Sequence, residues 1–107
     1  MPEQRTITLR KIDSSAAVEV PADLYGPHLA LHISIEGDEW TVTHVPTGGR
    51  IAGSMDRGVL EQLCRRLLPL RWDFTDEHAM PEATRRITLA TLAEMKHLLS
   101  FKDIDNI

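Results

Sequence analysis

A chain of 107 residues, 42% hydrophobic and with a formal charge of −4, has the size of one domain and can build a core without a metal or a disulfide. Its one cysteine, Cys64, excludes an intramolecular disulfide. No stretch nears the roughly 20 apolar residues of a membrane span, and the start Met1-Pro2-Glu3-Gln4-Arg5 is unlike a secretory leader, so the expectation is a cytoplasmic protein that does not enter a membrane.

The first half of the chain carries the two-residue period of strands. Residues 5–12 alternate Thr6, Thr8 and Arg10 with Ile7 and Leu9, which suits a strand with one wet face. Asp13-Ser14-Ser15 is a turn, residues 16–20 are extended, and Pro21, Gly26 and Pro27 make 21–27 a connection. The strongest local pattern is a hairpin over residues 29–45. Leu29, Leu31, Ile33 and Ile35 alternate with small or polar residues, and Trp40 and Val42 alternate with Thr41 and Thr43. With Gly37-Asp38 as the central turn residues, Ile35 is expected opposite Trp40, Ile33 opposite Val42 and Leu31 opposite His44. The other face, with His28, Ala30, His32, Ser34, Glu36, Glu39, Thr41 and Thr43 and no Arg or Lys, is expected to be wet. Pro46-Thr47-Gly48-Gly49 reads as a turn whose glycines take positive φ, followed by a short strand at residues 50–52.

The period then changes. Val59, Leu60, Leu63, Cys64, Leu67 and Leu68 form a helical stripe, so residues 55–68 are expected as an amphipathic helix, started by Ser54 or Asp56 and ended by Pro69. Residues 70–80 read as a loop holding Trp72, Phe74 and an acidic run. Residues 81–100 read as a second helix; an alternative start at the capping-box spacing Thr91-x-x-Glu94 would leave 86–89 extended. A tail from residue 101 is expected to dock through Phe101 and Ile104. The fold class is α+β, an antiparallel sheet of three to five strands covered on one face by the helix at 55–68 and a C-terminal helix, all in one domain.

Each candidate for chemistry has a structural alternative. His28, His32 and His44 cluster in sequence, but His28 and His32 lie about 13 Å apart along a strand and His44 projects from the other face, so one zinc is not within reach of all three. His44 is either a general base beside the turn at residues 46–50 or a half-buried histidine satisfied by a backbone carbonyl; the second is the expectation. Asp73, Asp76, Glu77 and His78 offer four donors in six residues for a metal-dependent hydrolase, without the spacing of a calcium-binding loop. Thr47-Gly48-Gly49-Arg50 lacks phosphate-loop spacing. Cys64 sits on the apolar stripe and is expected to be buried and inert.

No cofactor motif and no nucleophile elbow occurs. The leading expectation is therefore a non-catalytic protein-interaction module, a small regulator or inhibitor whose partner is another protein, with Trp72, Phe74, Asp73 and Asp76 as the interaction loop and sheet edges available for strand addition. A second expectation is nucleic-acid binding through Arg57, Arg65, Arg66, Arg71, Arg85 and Arg86 on the helical side. A third is a small hydrolase or metal enzyme using His44 or the 73–78 loop. A homodimer through a sheet edge or the last helix is compatible with the pattern.

Overall fold

The computed structural model describes residues 3–10, 17–34 and 39–99. Five strands, β1 (Glu3–Arg10), β2 (Ala17–Tyr25), β3 (Leu29–Ile33), β4 (Trp40–His44) and β5 (Gly49–Ser54), form one antiparallel sheet in the order β1-β2-β3-β4-β5. Helix α1 (Arg57–Leu67), a 3₁₀ turn at Glu77–Ala79 and helix α2 (Glu82–Met95) follow. The fold is the α+β arrangement expected, with strands in the first half and helices in the second. Among the described residues no helix is long and apolar enough to cross a membrane.

The helical stripe of α1 is the centre of the core. Leu60, Leu63, Cys64 and Leu67 are fully buried and pack with Leu29, Leu31, Val42 and Ala52 from the sheet and Leu92 and Met95 from α2. Asp56 caps α1, its Oδ1 accepting from the Gly58 N–H at 2.9 Å, so one of the four orphan amides of the first turn is satisfied. Ser54, the other candidate cap, accepts from the Asp56 N–H at 3.1 Å and donates to the Leu98 carbonyl at 2.7 Å, tying the end of β5 to the turn after α2. Helix α2 runs unbroken from Glu82, so residues 86–89 are helical and the late start does not occur. Its buried face carries Thr84, Thr88 and Thr91 above Leu92 and Met95, which a search for leucine periodicity passes over.

Three sequence expectations are corrected. The β3–β4 register is displaced by two residues: Ile33 pairs with Trp40, Leu31 with Val42 and Leu29 with His44. The Ser34 N–H donates to the Glu39 carbonyl at 2.8 Å, so four residues, 35–38, separate that pair where two were expected. A shift of two keeps every side chain on its own face, which is why the apolar pattern alone could not detect it. The partner expected for Trp40, Ile35, is therefore replaced by Ile33, while the turn at Gly37-Asp38, the 13–15 turn and the docking of Phe101 and Ile104 lie outside the described residues.

Second, β2 does not end before Pro21 but continues through it to Tyr25. Bonds from the Ser34 N–H to Glu39 and from the Val45 N–H to His28 show that even-numbered residues of β3 direct their backbone groups to β4, and the odd ones therefore face β2. The β2–β3 ladder contains Asp23↔Leu31, Leu24↔Ala30 and Tyr25↔Leu29 and then stops. The next odd residue, Ile33, comes opposite Pro21, which has no N–H to give. On its other side β2 keeps its ladder with β1 from Ala17 to Leu24, because the proline nitrogen points away from β1. Pro21 thus ends one ladder without disturbing the other, and residues 17–22 leave the sheet body as a two-stranded arm with β1.

Third, the face expected to be wet is largely closed. Ala30, His32, Thr41 and Thr43 are all less than 5% exposed. Ile7, Ala22 and Ala30 form a second small cluster there with Val20 and Leu24. Arg50 reaches across Gly53 to ion-pair with Glu39, in space that a Cβ at residue 53 would obstruct. His32 is buried in this layer. Its Nδ1 is 2.8 Å from the Ile33 carbonyl, so that nitrogen must carry the proton, and Nε2 accepts from the Thr43 hydroxyl at 2.8 Å. The imidazole supplies the donor that Pro21 cannot. Of the paired glycines in the β4–β5 turn only Gly48 has positive φ, at 73°; the β2–β3 turn uses Gly26 at 69°.

Candidate functional site

Two concave regions stand out, one on each side of the core. The first lies between the end of β4, the start of β5, the 72–80 segment and α2, and His44 is its anchor. The residue ends β4 on the core face and is 3% exposed. Its Nε2 donates to the Trp72 carbonyl at 2.7 Å, and its Nδ1 accepts from the Thr47 hydroxyl at 2.8 Å; a carbonyl only accepts, which fixes the tautomer. Thr47 Oγ1 in turn accepts from the Gly49 N–H at 3.1 Å. The ring stacks on Phe74 with centroids 4.4 Å apart and leans on Trp72 at 5.6 Å. Burial, the largest influence, pushes the His44 pKa below the ordinary histidine value; the bond to Trp72 opposes this and the nearby His28 adds to it. A neutral ring with both nitrogens engaged straps the 72–74 segment to the sheet, and its only proton-accepting position is held by Thr47.

Beside this strap is a cavity of about 290 Å³ lined by His44, Ile51, Trp72, Phe74, Met80 and Thr88, with Arg85 and His78 also on its wall. Thr88 is 1% exposed. Its neighbours on the same helix face have partners: the Thr84 hydroxyl donates to the Arg71 carbonyl at 3.1 Å and the Thr91 hydroxyl to the Ile87 carbonyl at 2.8 Å. Among the described residues the Thr88 hydroxyl has none.

The second concavity is the groove opened where β2 and β3 part. It measures about 750 Å³ and runs between Val18, Val20 and Pro21 on the arm and Leu31, Ile33 and Trp40 on the sheet body. Arg57 closes one end: it ion-pairs with Asp23, its Nε–H donates to Glu61 Oε1 at 3.0 Å, and its guanidinium lies 4.8 Å over the Trp40 ring. Ile33 is 43% exposed in the groove although it belongs to an apolar strand face.

The residues singled out from sequence are distributed differently from the expectation. Trp72 and Phe74 are 4% and 8% exposed and belong to the core, with the Trp72 Nε1–H donating to the Leu67 carbonyl at 2.8 Å. They form the core lid, not an exposed anchor pair, because the strap from His44 turns them inward. Asp73 and Asp76 alternate outward. Arg71 beside Asp73 holds that carboxyl below its usual range, and Asp76 Oδ1 accepts from the His78 N–H at 2.9 Å. Among the described residues no group of three or more His, Cys, Asp or Glu side chains is placed to hold a metal. His32 and His44 occupy opposite faces of the sheet.

The six arginines do not gather on one surface. Arg57 is at the groove, Arg66 pairs with Glu94 at 2.7 Å, Arg71 pairs with Asp73 at 2.9 Å, and Arg85 lies at the cavity, while Arg65 and Arg86 are exposed. Cys64 is fully buried, and burial pushes its thiol pKa up to about 12. Sequence reasoning gave Pro21 and Ile33 structural roles alone and passed over Thr88. Comparison of the chain with protein-family models, with curated proteins and with solved structures finds no match in any of the three.

Proposed function

We propose that this is a cytoplasmic, non-catalytic protein-interaction module that receives an extended segment of a partner protein in the groove between the β1–β2 arm and β3. The observation that carries the reading is the parting of the sheet at Pro21, which leaves an apolar-floored channel in a wall that would otherwise be continuous β-structure. Beyond Pro21, the odd-numbered residues of β2, Glu19 and Ala17, direct their backbone groups to the groove side, as the same alternation requires. An extended peptide laid there can pair with this inner edge, as in strand addition, while one apolar side chain rests on Ile33 and Trp40. The arginine pairings described above weigh against a nucleic-acid surface.

The test is capture of a partner from lysate, with and without nuclease, by the natural chain and by Ile33→Asp. Ile33 is exposed enough for the substitution to leave the fold intact, which circular dichroism checks. Nuclease-resistant capture that Ile33→Asp abolishes supports the groove. Capture that persists undiminished in the variant, or that disappears with nuclease, refutes it.

A further inference from the structure

We propose that the partner segment received by the groove is an uncharged run of consecutive apolar residues, recognised on both of its faces; this rests on the groove being the docking site. The walls of the groove belong to opposite faces of the sheet. The pairing of Asp23 with Leu31 puts the odd-numbered residues of β2 on the face that meets the helices and the even-numbered ones on the other. Trp40, paired with Ile33, packs against the helical core. Val20 packs against the separate cluster of Ile7, Ala22 and Ala30, and Val18 shares its face. Both sets line the one groove.

An extended segment laid between these walls turns successive side chains to opposite faces. One rests on Ile33 and Trp40, and the next in sequence rests on Val18 and Val20. A strand added to an open sheet edge is read on alternate residues, whereas a strand covered on both faces calls for a continuous apolar run. Among the described residues β2 has no partner in β3 over 17–22, so the run is about five residues long. Charge complementarity points the same way. The charged residues that line the groove are matched within the chain: Arg5 by Glu3 at 2.8 Å, and Asp23 and Arg57 by each other. A charge of either sign carried in by the occupant therefore meets no unmatched opposite charge in the lining, and burying it is costly. A neutral lining with apolar walls on two faces fits a neutral segment with apolar side chains on both.

The probe is the acetylated, amidated peptide Lys-Ser-Val-Ile-Val-Ser-Lys, whose lysines lie beyond the apolar run and keep it soluble. Its counterparts carry Thr, Lys or Glu in place of the central Ile and so keep apolar side chains on one face alone. Titration into the full chain, followed by the NMR shifts of the residue 17–22 amides and the Trp40 indole, should give the Ile peptide a Kd on the order of 0.1–1 mM. The Thr peptide should bind roughly fivefold more weakly, and the Lys and Glu peptides each more than about tenfold more weakly. Val18→Thr, a half-buried change that keeps the branched shape, should weaken the Ile peptide and leave the Thr peptide unchanged. Equal binding of all four peptides, or preference for a charged one, with Ile33→Asp abolishing it, would overturn the proposal and leave the groove a docking site. If no peptide moves the groove residues, both readings fall. Groove shifts that grow with protein concentration alone, or contacts from Ile33 to Phe101 in the free chain, would give the groove to a second copy or to the chain's own segment and overturn the proposal too.

Discussion

His32 and His44 make the stability of this domain depend on pH, and the dependence can be worked out from their surroundings. Both rings are at most 3% exposed. Burial is the largest influence on each and holds each pKa below the ordinary value; a backbone carbonyl bond opposes it, and Arg50 at His32 and His28 at His44 push the same way as burial. In the unfolded chain a histidine takes up its proton near pH 6.5. The folded rings take theirs up at lower pH, so between the two values the unfolded state binds more protons and stability falls as pH falls. Above pH 6.5 the contribution is complete. Below it, each ring's contribution falls with a slope of at most ~1.4 kcal/mol per pH unit until its folded-state pKa is reached, so the two together can weaken the fold by no more than ~2.8 kcal/mol per pH unit. Against a typical domain stability of roughly 5–15 kcal/mol that is a large share. Urea unfolding followed by tryptophan fluorescence at pH 7.5, 6.5 and 5.5 measures it. A His32→Gln, His44→Gln double variant should be less stable at pH 7.5 but lose the slope. An unfolding free energy constant from pH 7.5 to 5.5, or a slope undiminished in the double variant, would refute the reasoning.

Three further outcomes follow from the packing. Leu63→Ala should cost about 2–5 kcal/mol in chemical denaturation, because Leu63 is fully buried between α1 and the sheet; a shift in Tm of only a degree or two would contradict the core assignment. Cys64 should resist an aromatic disulfide reagent in the native protein and react fully in urea, since its thiol is buried with its pKa pushed up to about 12; labelling at the native rate of an exposed thiol would show that α1 opens. Thr88→Val should leave the domain as stable or more stable, by up to about 1–3 kcal/mol, because it removes a buried hydroxyl unmatched among the described residues; a clear loss of stability in calorimetry would mean that the hydroxyl is satisfied within the fold.

How far the sequence could be read differs from element to element for physical reasons. Helix α1 was legible because its stripe and its cap, Asp56, are local features. The strands were legible as strands, but the β3–β4 register was not, since a shift of two residues preserves the faces on which the pattern depends. Pro21 was misread as a break because its effect depends on which neighbour its nitrogen faces, and only the assembled sheet decides that. The wet face was misjudged for a related reason: His32, Thr41 and Thr43 look like solvent-facing residues, yet Arg50 and Glu39, brought together from β5 and the entrance to β4, close over the layer. At the cavity, the carbonyl partner anticipated for His44 is present in Trp72. The threonines at 84, 88 and 91 were open to view at helical spacing, but hydroxyl-bearing residues were not counted as a buried face.

The parting of the sheet at Pro21 also divides the molecule by how readily it opens. Among the described residues the β1–β2 arm pairs with β3 at Asp23, Leu24 and Tyr25 alone, with the small cluster of Ile7, Ala22 and Ala30 beside them, and its exposed residues outnumber its buried ones outside the C-terminal end of β2. The remaining strands share a core with both helices. Amide exchange should therefore resolve two cooperative units, with protection of residues 17–22 lost at a smaller opening free energy than that of β4 and α1. A segment bound along the arm would close this gap, so that occupancy of the groove would be recorded in the arm as slowed exchange even where no side chain of the partner makes contact.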